Sequence, residues 1–180
     1  MITVISGTNR KDSECLQFSR HYVDMLQRVT DEEVRLLALE DIPHDWFHPE
    51  MYHSAGQSTS LVEVQDAYIL PAGKMVFILP EYNGSFPGAL KLFIDACSVR
   101  SYAENFKGKK VAMVGIASGR AGNLRGMEHL TGIMHYLGAI VMPDKLPISR
   151  IEEVTDREGQ ITDEATRITL ERHAAEFAAF

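Results

Sequence analysis

Cysteine is scarce. The 180 residues contain only Cys15 and Cys97, with no close spacing that would make a CxxC redox pair or a zinc site, so a disulfide scaffold and a thiolate metal centre are excluded. An excess of cations is missing as well. Eighteen lysines and arginines stand against 25 aspartates and glutamates, a formal charge of −7, which excludes a nucleic-acid partner bound by counterion release. Any anion must therefore be held locally. No apolar run approaches the roughly 20 residues of a membrane span, and no basic stretch followed by a long apolar segment opens the chain. The expectation is a cytoplasmic protein with neither membrane nor nucleic acid as partner.

What is present is an ordinary globular balance, 45% hydrophobic and 24% charged, long enough for one substantial core. A single domain over residues 1–180 is expected. Ile2 to Ser6 is β-branched and apolar on both faces and stops at Gly7-Thr8-Asn9, as a buried parallel strand entering a turn does. A helix follows from about Glu14 to Arg28, its stripe carried by Leu16, Tyr22, Val23, Leu26 and Val29. Val34 to Leu39 is a second strand, and the His- and Pro-rich segment after it reads as a loop. Ser60 to about Ala67 forms a helix, and Met75-Val76-Phe77-Ile78-Leu79 a central strand. Pro87 suits the first turn of a helix reaching about Ser98. Val111 to Ile116, Asn123 to Leu137 and Ala139 to Met142 continue the alternation as strand, helix and short fifth strand. The last helix, about Asp163 to Phe177, begins with acidic residues that suit its dipole.

Strands that alternate with helices across long connections make a parallel sheet covered on both faces. The predicted architecture is a three-layer α/β/α flavodoxin-like sandwich with five parallel strands in the order 2-1-3-4-5. Its ligand crevice lies where the order reverses, beside strands one and three. The loops after strands one, three and four should then carry the chemistry.

The first loop, Ser6 to Ser13, combines hydroxyls at Ser6, Thr8 and Ser13 with free amides, a helix dipole and the Arg10 guanidinium, a compact site for a phosphate monoester. It is neither a Walker loop nor a GxGxxG fingerprint. The second, Pro80 to Gly88, has turn chemistry at Asn83-Gly84 and Pro87-Gly88, while Tyr82 and Phe86 supply flat apolar surface for a planar heterocycle. The third, Ala117 to Asn123, offers the Ser118 hydroxyl and glycines that let backbone approach a ligand closely. Gly115 to Gly119 reads GxxSG, not the GxSxG elbow of an acyl-transfer nucleophile.

The first loop resembles the GSxRxxSxN pattern of the NAD(P)H-dependent FMN reductases. Pro80-Glu81-Tyr82-Asn83-Gly84-Ser85-Phe86-Pro87-Gly88-Ala89-Leu90-Lys91, followed by Ile94-Asp95, is similar to that family's PEYNxSxPGxLKNxID motif. The family includes FMN reductases, azoreductases and quinone reductases and has the same fold. The resemblance implies that Thr8, Arg10 and Ser13 hold the FMN phosphate. Cys15 stands where many members have Asn, so one phosphate or ribityl hydrogen bond is missing or comes from a backbone amide. Pro80, Glu81, Tyr82, Asn83 and Ser85 are implied to run along the ribityl and isoalloxazine, largely through main-chain groups. Ser118, Gly119 and Gly122 resemble the family's SxGxxGG loop near the ring, with Asn123 in place of its last glycine.

The resemblance further implies that NAD(P)H reduces FMN and departs, and that a flavin, quinone or azo acceptor then takes its place in a ping-pong scheme. It also implies a homodimer or homotetramer. No catalytic side chain is expected, because the flavin N5 carries the chemistry. A flavodoxin-type electron carrier without its own NAD(P)H turnover is the alternative, and Arg10 argues against it, since typical flavodoxins cradle phosphate with hydroxyls and amides alone. Arg10, Lys11, Arg120 and Arg125 could each meet a 2′-phosphate, which leaves the choice between NADH and NADPH open.

Other constellations read as structure. His44, His48 and His53 would need a helix to converge on a metal, and Pro43 and Pro49 argue against one, so no metal is expected. The loop that holds them, with Trp46, Phe47, Met51 and Tyr52, reads as a cover over the crevice or a subunit contact. Lys91 and Asp95 form an intrahelical pair, Cys97 packs as a small buried residue, and Arg150 to Arg157 is a solvated connection.

Overall fold

Short apolar strands, each followed by a longer crossover, place every strand direction the same way and leave both sheet faces to be covered. The computed structural model describes residues 1–180. In chain order the elements are β1 (Ile2–Ser6), α1 (Glu14–Gln27), β2 (Val34–Ala38), α2 (Thr59–Val64), β3 (Lys74–Pro80), α3 (Gly88–Ala96), α4 (Tyr102–Phe106), β4 (Lys110–Ile116), α5 (Leu124–Tyr136), β5 (Ile140–Val141), β6 (Leu146–Ile148), α6 (Ile151–Val154) and α7 (Glu164–Ala179). All pairings are parallel and the order is β2-β1-β3-β4-β5, as the alternation predicts.

The fifth position differs from the sequence expectation. It is filled by two short strands: β5 pairs with the start of β4 and β6 with its end. From residue 141 to 146 this edge uses five steps where β4 uses three, from 111 to 114. Pro143 lies in the bulged segment, where its missing N–H cannot serve a ladder. Pro87 also shifts role, standing one residue before α3 in extended conformation instead of inside its first turn. Val29 lies beyond α1 and is exposed. The His- and Pro-rich segment is a succession of single 3-10 turns between Leu39 and Gly56, and α2 continues into one π turn, Gln65–Ile69.

Side-chain alternation on the central strands divides the core in two. Met75, Phe77 and Leu79 of β3 face α2, α3 and α5, while Val76 and Ile78 face α1 and α7. Each fully buried aliphatic or aromatic side chain of this kind contributes about 1.5–3 kcal/mol through removal from water. On the α1 side a polar pair is buried with them: the Tyr22 hydroxyl lies 2.7 Å from His173 Nδ1, and His173 Nε2 lies 3.2 Å from the Asp144 carbonyl. Burial holds the His173 pKa below its ordinary value, which keeps the ring neutral, with Nε2–H donating to Asp144 and Nδ1 accepting from Tyr22. No helix is long and apolar enough to cross a membrane.

Candidate functional site

Gly7 follows β1 at a point of close backbone approach to β3. Its N–H donates to the Ile78 carbonyl at 2.9 Å, and a Cβ there would come within 2.8 Å of that oxygen. This close approach brings the first loop beside the end of β3. The Thr8 hydroxyl, buried, sits 2.9 Å from the Tyr82 hydroxyl and accepts the Arg10 N–H at 3.2 Å. A left-handed step at Asp12 (φ 52°) then turns the chain into α1, whose cap is Ser13; its Oγ accepts from Leu16 N at 3.3 Å and keeps its own O–H as a donor.

Apart from Arg10, no backbone amide from Thr8 to Cys15 finds an acceptor within the protein. The first turn of a helix necessarily leaves such donors open, and here they gather at the positive end of the α1 dipole. Arg10 and Lys11 are exposed and neither has a carboxylate within salt-bridge distance.

The second loop is built in the opposite way. Asn83 (φ 52°) and Gly84 (φ 76°) form a tight turn in which Tyr82 and Ser85 exchange both backbone hydrogen bonds, at 2.8 and 3.1 Å. Glu81 N–H donates to the Ile116 carbonyl at 3.1 Å, and the Ser85 hydroxyl meets His129 Nδ1 of α5 at 2.8 Å. The turn is thus fixed at both ends.

The third loop is tied down by Asn123. Its backbone is left-handed (φ 59°), which Asn tolerates better than most residues. Its amide donates to the carbonyls of Leu79 and Pro80 at 3.1 and 3.0 Å and accepts from Gly126 N at 3.1 Å. The residue that replaces the family's glycine therefore holds the end of β3 while capping α5. Gly122 packs against Pro147 and Ile148, and the Gly119 carbonyl accepts the Arg150 N–H at 3.2 Å.

These loops enclose a cavity of about 370 Å³ at the carboxyl ends of β1, β3 and β4, within the roughly 300–1,000 Å³ of small-molecule and cofactor sites. Of the residues singled out from sequence, Thr8, Arg10, Ser13, Cys15, Pro80, Glu81, Tyr82 and Ser118 line it. Asn83, Ser85, Gly119 and Gly122 do not; they shape the loops behind the wall. Ile151 and Glu152 of α6 complete the wall, although sequence reading took their segment for a solvated connection. The signal was Ile151, an apolar residue among charges, which is buried.

Charge in the wall is mixed. Arg10 and Lys11 are offset by the carboxylates of Asp12, Glu14, Glu81 and Glu152, so the wall offers an anion short directed bonds and no strong positive field. Cys15 is buried, accepting from Ser6 Oγ at 3.3 Å and donating to the Ile78 carbonyl at 3.2 Å. Burial pushes its thiol up to about 11, so no thiolate adds negative charge. Open amides, two hydroxyls and one guanidinium at one end of a cofactor-sized cavity fit the phosphate and ribityl of FMN. No group of three or more His, Cys, Asp or Glu side chains is disposed to hold a metal ion.

A doubly wound parallel sheet whose loops close on a cavity at its switch point defines a flavodoxin-like protein. The chain belongs to the NADPH-dependent FMN reductase family, whose sequence model matches residues 1–153. This is a family of flavin oxidoreductases with FMN as cofactor and NAD(P)H as electron donor. The chain is 31% identical to a 2-hydroxy-1,4-benzoquinone reductase of a Burkholderia species, over 99% of this chain and 94% of that one. It is 32% identical to a quinone reductase of Escherichia coli K12, again over 99% and 94%. The solved structure of FerB, a flavoenzyme NAD(P)H:(acceptor) oxidoreductase from Paracoccus denitrificans, superposes with a TM-score of 0.72 at 27% identity, covering 99% and 94% of the two chains.

Proposed function

We propose that residues 1–180 act as one FMN-binding domain that oxidises NAD(P)H and reduces a small planar acceptor, a quinone before an azo compound or a second flavin. The observation that carries this reading is the run of amides from Lys11 to Cys15, unpaired within the protein, beside the same cavity as Tyr82 and Ser118. In it, Arg10, the Ser13 and Thr8 hydroxyls and those amides hold the phosphate. Pro80, Glu81 and Tyr82 edge the ribityl and ring from one side and Ser118 from the other. Asn83, Ser85, Gly119 and Gly122 act indirectly, by keeping the two turns in shape.

When bound, FMN supplies the two-electron hydride chemistry, which is why no acid or base of the chain is assigned a step. The chain's task is to fix the cofactor within reach of its partners, the larger part of such catalysis. Burial of Cys15 keeps a neutral thiol beside the phosphate, and Asn123 keeps the carbonyl ends of β3 from competing for the ligand's donors. Donor and acceptor alternate at one open face in a ping-pong scheme. The relatives' names favour a quinone.

We also infer a homodimer or homotetramer in the cytoplasm. Tyr136 is 83% exposed beside the groove between α3 and α5, and light scattering should return a mass of two or four chains. The test of function is a titration of the purified chain with FMN, followed anaerobically by NADH or NADPH. Flavin bands should appear, saturate and bleach, and initial rates with a quinone should give parallel double-reciprocal lines. Absence of FMN binding would remove the assignment, and bound flavin without NAD(P)H turnover would favour an electron carrier.

A further inference from the structure

Of seven histidines only His173 is buried, at 1% exposure. It stands in the middle of the stripe by which α7 packs: Leu170, His173, Ala174 and Phe177, at helical spacing, are the residues of that helix sealed from solvent. An ionisable ring at the centre of so narrow a stripe makes the docking of α7 depend on its protonation state. The opposing face is α1, whose Phe18, Tyr22 and Met25 share a core cluster with that stripe.

Donors and acceptors fix which state fits. The neutral ring accepts from the Tyr22 hydroxyl at Nδ1 and donates from Nε2 to the Asp144 carbonyl, so both nitrogens and the phenol hydrogen are used. An imidazolium carries hydrogen on both nitrogens. Its Nδ1–H would point at the phenol oxygen and leave the Tyr22 O–H, itself buried, without an acceptor. The phenol supplies no counter-charge, because burial raises its pKa above the ordinary value. On α7, Glu176 is exposed and pairs with Arg172 at 3.7 Å. Between β5 and β6, Asp144 is exposed and Lys145 pairs with Glu128 at 2.7 Å. On α1, Arg20 and Asp24 are exposed and His21 meets the Gly159 carbonyl at 2.9 Å. No carboxylate is therefore buried beside the ring to take up its charge.

The candidate FMN site lies at the other end of α1. Cys15, in the first turn, lines that cavity and belongs to the same core cluster as Tyr22 and Phe177. One helix joins the Ser13 cap to Tyr22 over roughly 13 Å, so a tilt at Tyr22 moves the open amides of the first loop. We infer that His173 is a positioning residue for the phosphate end of the site: the neutral ring clamps α7 to α1 through Tyr22, and its protonation releases α7 and loosens the first loop. The clamp does not depend on what the site binds; only its effect on cofactor retention rests on the FMN reading. Burial outweighs the attraction of Asp144 and Glu176 and lowers the His173 pKa from its ordinary 6.5. Folding is therefore unopposed by this ring above that value and loses stability as the pH falls below it.

The full chain without ligand is followed by amide hydrogen exchange at pH 7.5 and 5.0, corrected for intrinsic rates, and titrated with FMN at the same two values. On acidification, protection of the α7 amides should fall at least tenfold while that of the β3 amides falls less than threefold. His173→Gln keeps an acceptor for Tyr22 and a donor for Asp144 but takes up no proton, and its α7 protection should change less than twofold. His173→Met, which keeps only the packing, gives the same comparison where glutamine prevents folding. The FMN phosphate itself titrates near pH 6, equally for every chain. The ratio of Kd at pH 5.0 to Kd at pH 7.5 should therefore be at least threefold larger in the parent than in the variant. Equal losses at α7 and β3 overturn the inference, because acid then acts on the whole fold. Unchanged α7 protection overturns it too, as does a loss equally large in the variant. Equal Kd ratios, with α7 released in the parent alone, would remove the positioning role and leave a purely structural one. A chain that binds no FMN at either pH would strike the reductase reading, while α7 protection still decides the clamp.

Discussion

The first and second loops meet at one hydrogen bond, Thr8 to Tyr82, yet they are stabilised in opposite ways. The turn at Tyr82 to Ser85 is closed by two reciprocal backbone bonds, with only the Asn83 and Gly84 amides left over, and is anchored to β4 and α5. The first loop leaves every amide from Thr8 to Cys15 open except that of Arg10. A turn closed on itself and anchored at both ends can serve as a rigid edge, whereas a run of open amides is available to a ligand. Changes in the second loop or its supports should therefore register in the stability of the ligand-free chain, and changes in the first in affinity alone. The largest test is Asn123→Ala, which removes three hydrogen bonds of a buried side chain and places a Cβ-bearing residue without a compensating side chain at φ 59°. We expect a loss of about 3–4 kcal/mol in urea denaturation. Asn123→Gly relieves the backbone cost and should lose about 1–2 kcal/mol less; equal losses would mean that the backbone conformation contributes nothing.

Arg10→Ala probes the other side of the comparison. The side chain is exposed and has no ion pair, so stability without ligand should stay within about 0.5 kcal/mol of the parent. FMN affinity should fall by about 1.5–3 kcal/mol, the scale of hydrogen bonds to a charged group. A comparable loss of stability in the absence of FMN would show that Arg10 supports the loop and does not await a ligand.

The difference between the loops also explains what could be read from sequence. Strand order followed from apolar runs such as Met75 to Leu79, because burial on both faces leaves a continuous signal. The split fifth position did not, since two- and three-residue strands are fixed by pairing with β4 and not by their own pattern. Of the site, residues acting through local backbone were legible: Thr8, Arg10 and Ser13 sit at a strand-to-helix turn whose chemistry is written in consecutive positions. Ile151 and Glu152 reach the cavity only because the Ile151 and Arg150 amides bond to the carbonyls of Ala117 and Gly119 across the fold, a contact with no local trace. Asn123 was visible as a departure from the glycine of the motif, but its bonds to Leu79 and Pro80 depend on tertiary structure.

Gly84→Ala sharpens the comparison at smaller cost. A Cβ there would meet nothing closer than Arg125 Nη1 at 4.0 Å, so the whole effect is backbone strain at φ 76°. About 1–2 kcal/mol of stability should be lost, measurable without FMN. A side-chain clash would be felt through Arg125 and relieved in Arg125→Ala; strain would not be.

The smallest effect lies at the junction itself. Tyr82→Phe deletes the hydroxyl 2.9 Å from Thr8 Oγ1 and leaves the turn's backbone bonds in place, so ligand-free stability should change by no more than about 0.5–1.5 kcal/mol. If the rigid edge orients the open loop, the consequence appears in FMN affinity and depends on Thr8. A cycle of Tyr82→Phe, Thr8→Val and the double variant, read by flavin titration, isolates that dependence. Coupling of about 0.5–1.5 kcal/mol means that the closed turn aims the phosphate loop through this one bond. Additive losses mean that Thr8 meets the ligand without help, because Gly7 and the Asp12 step already set the loop's course.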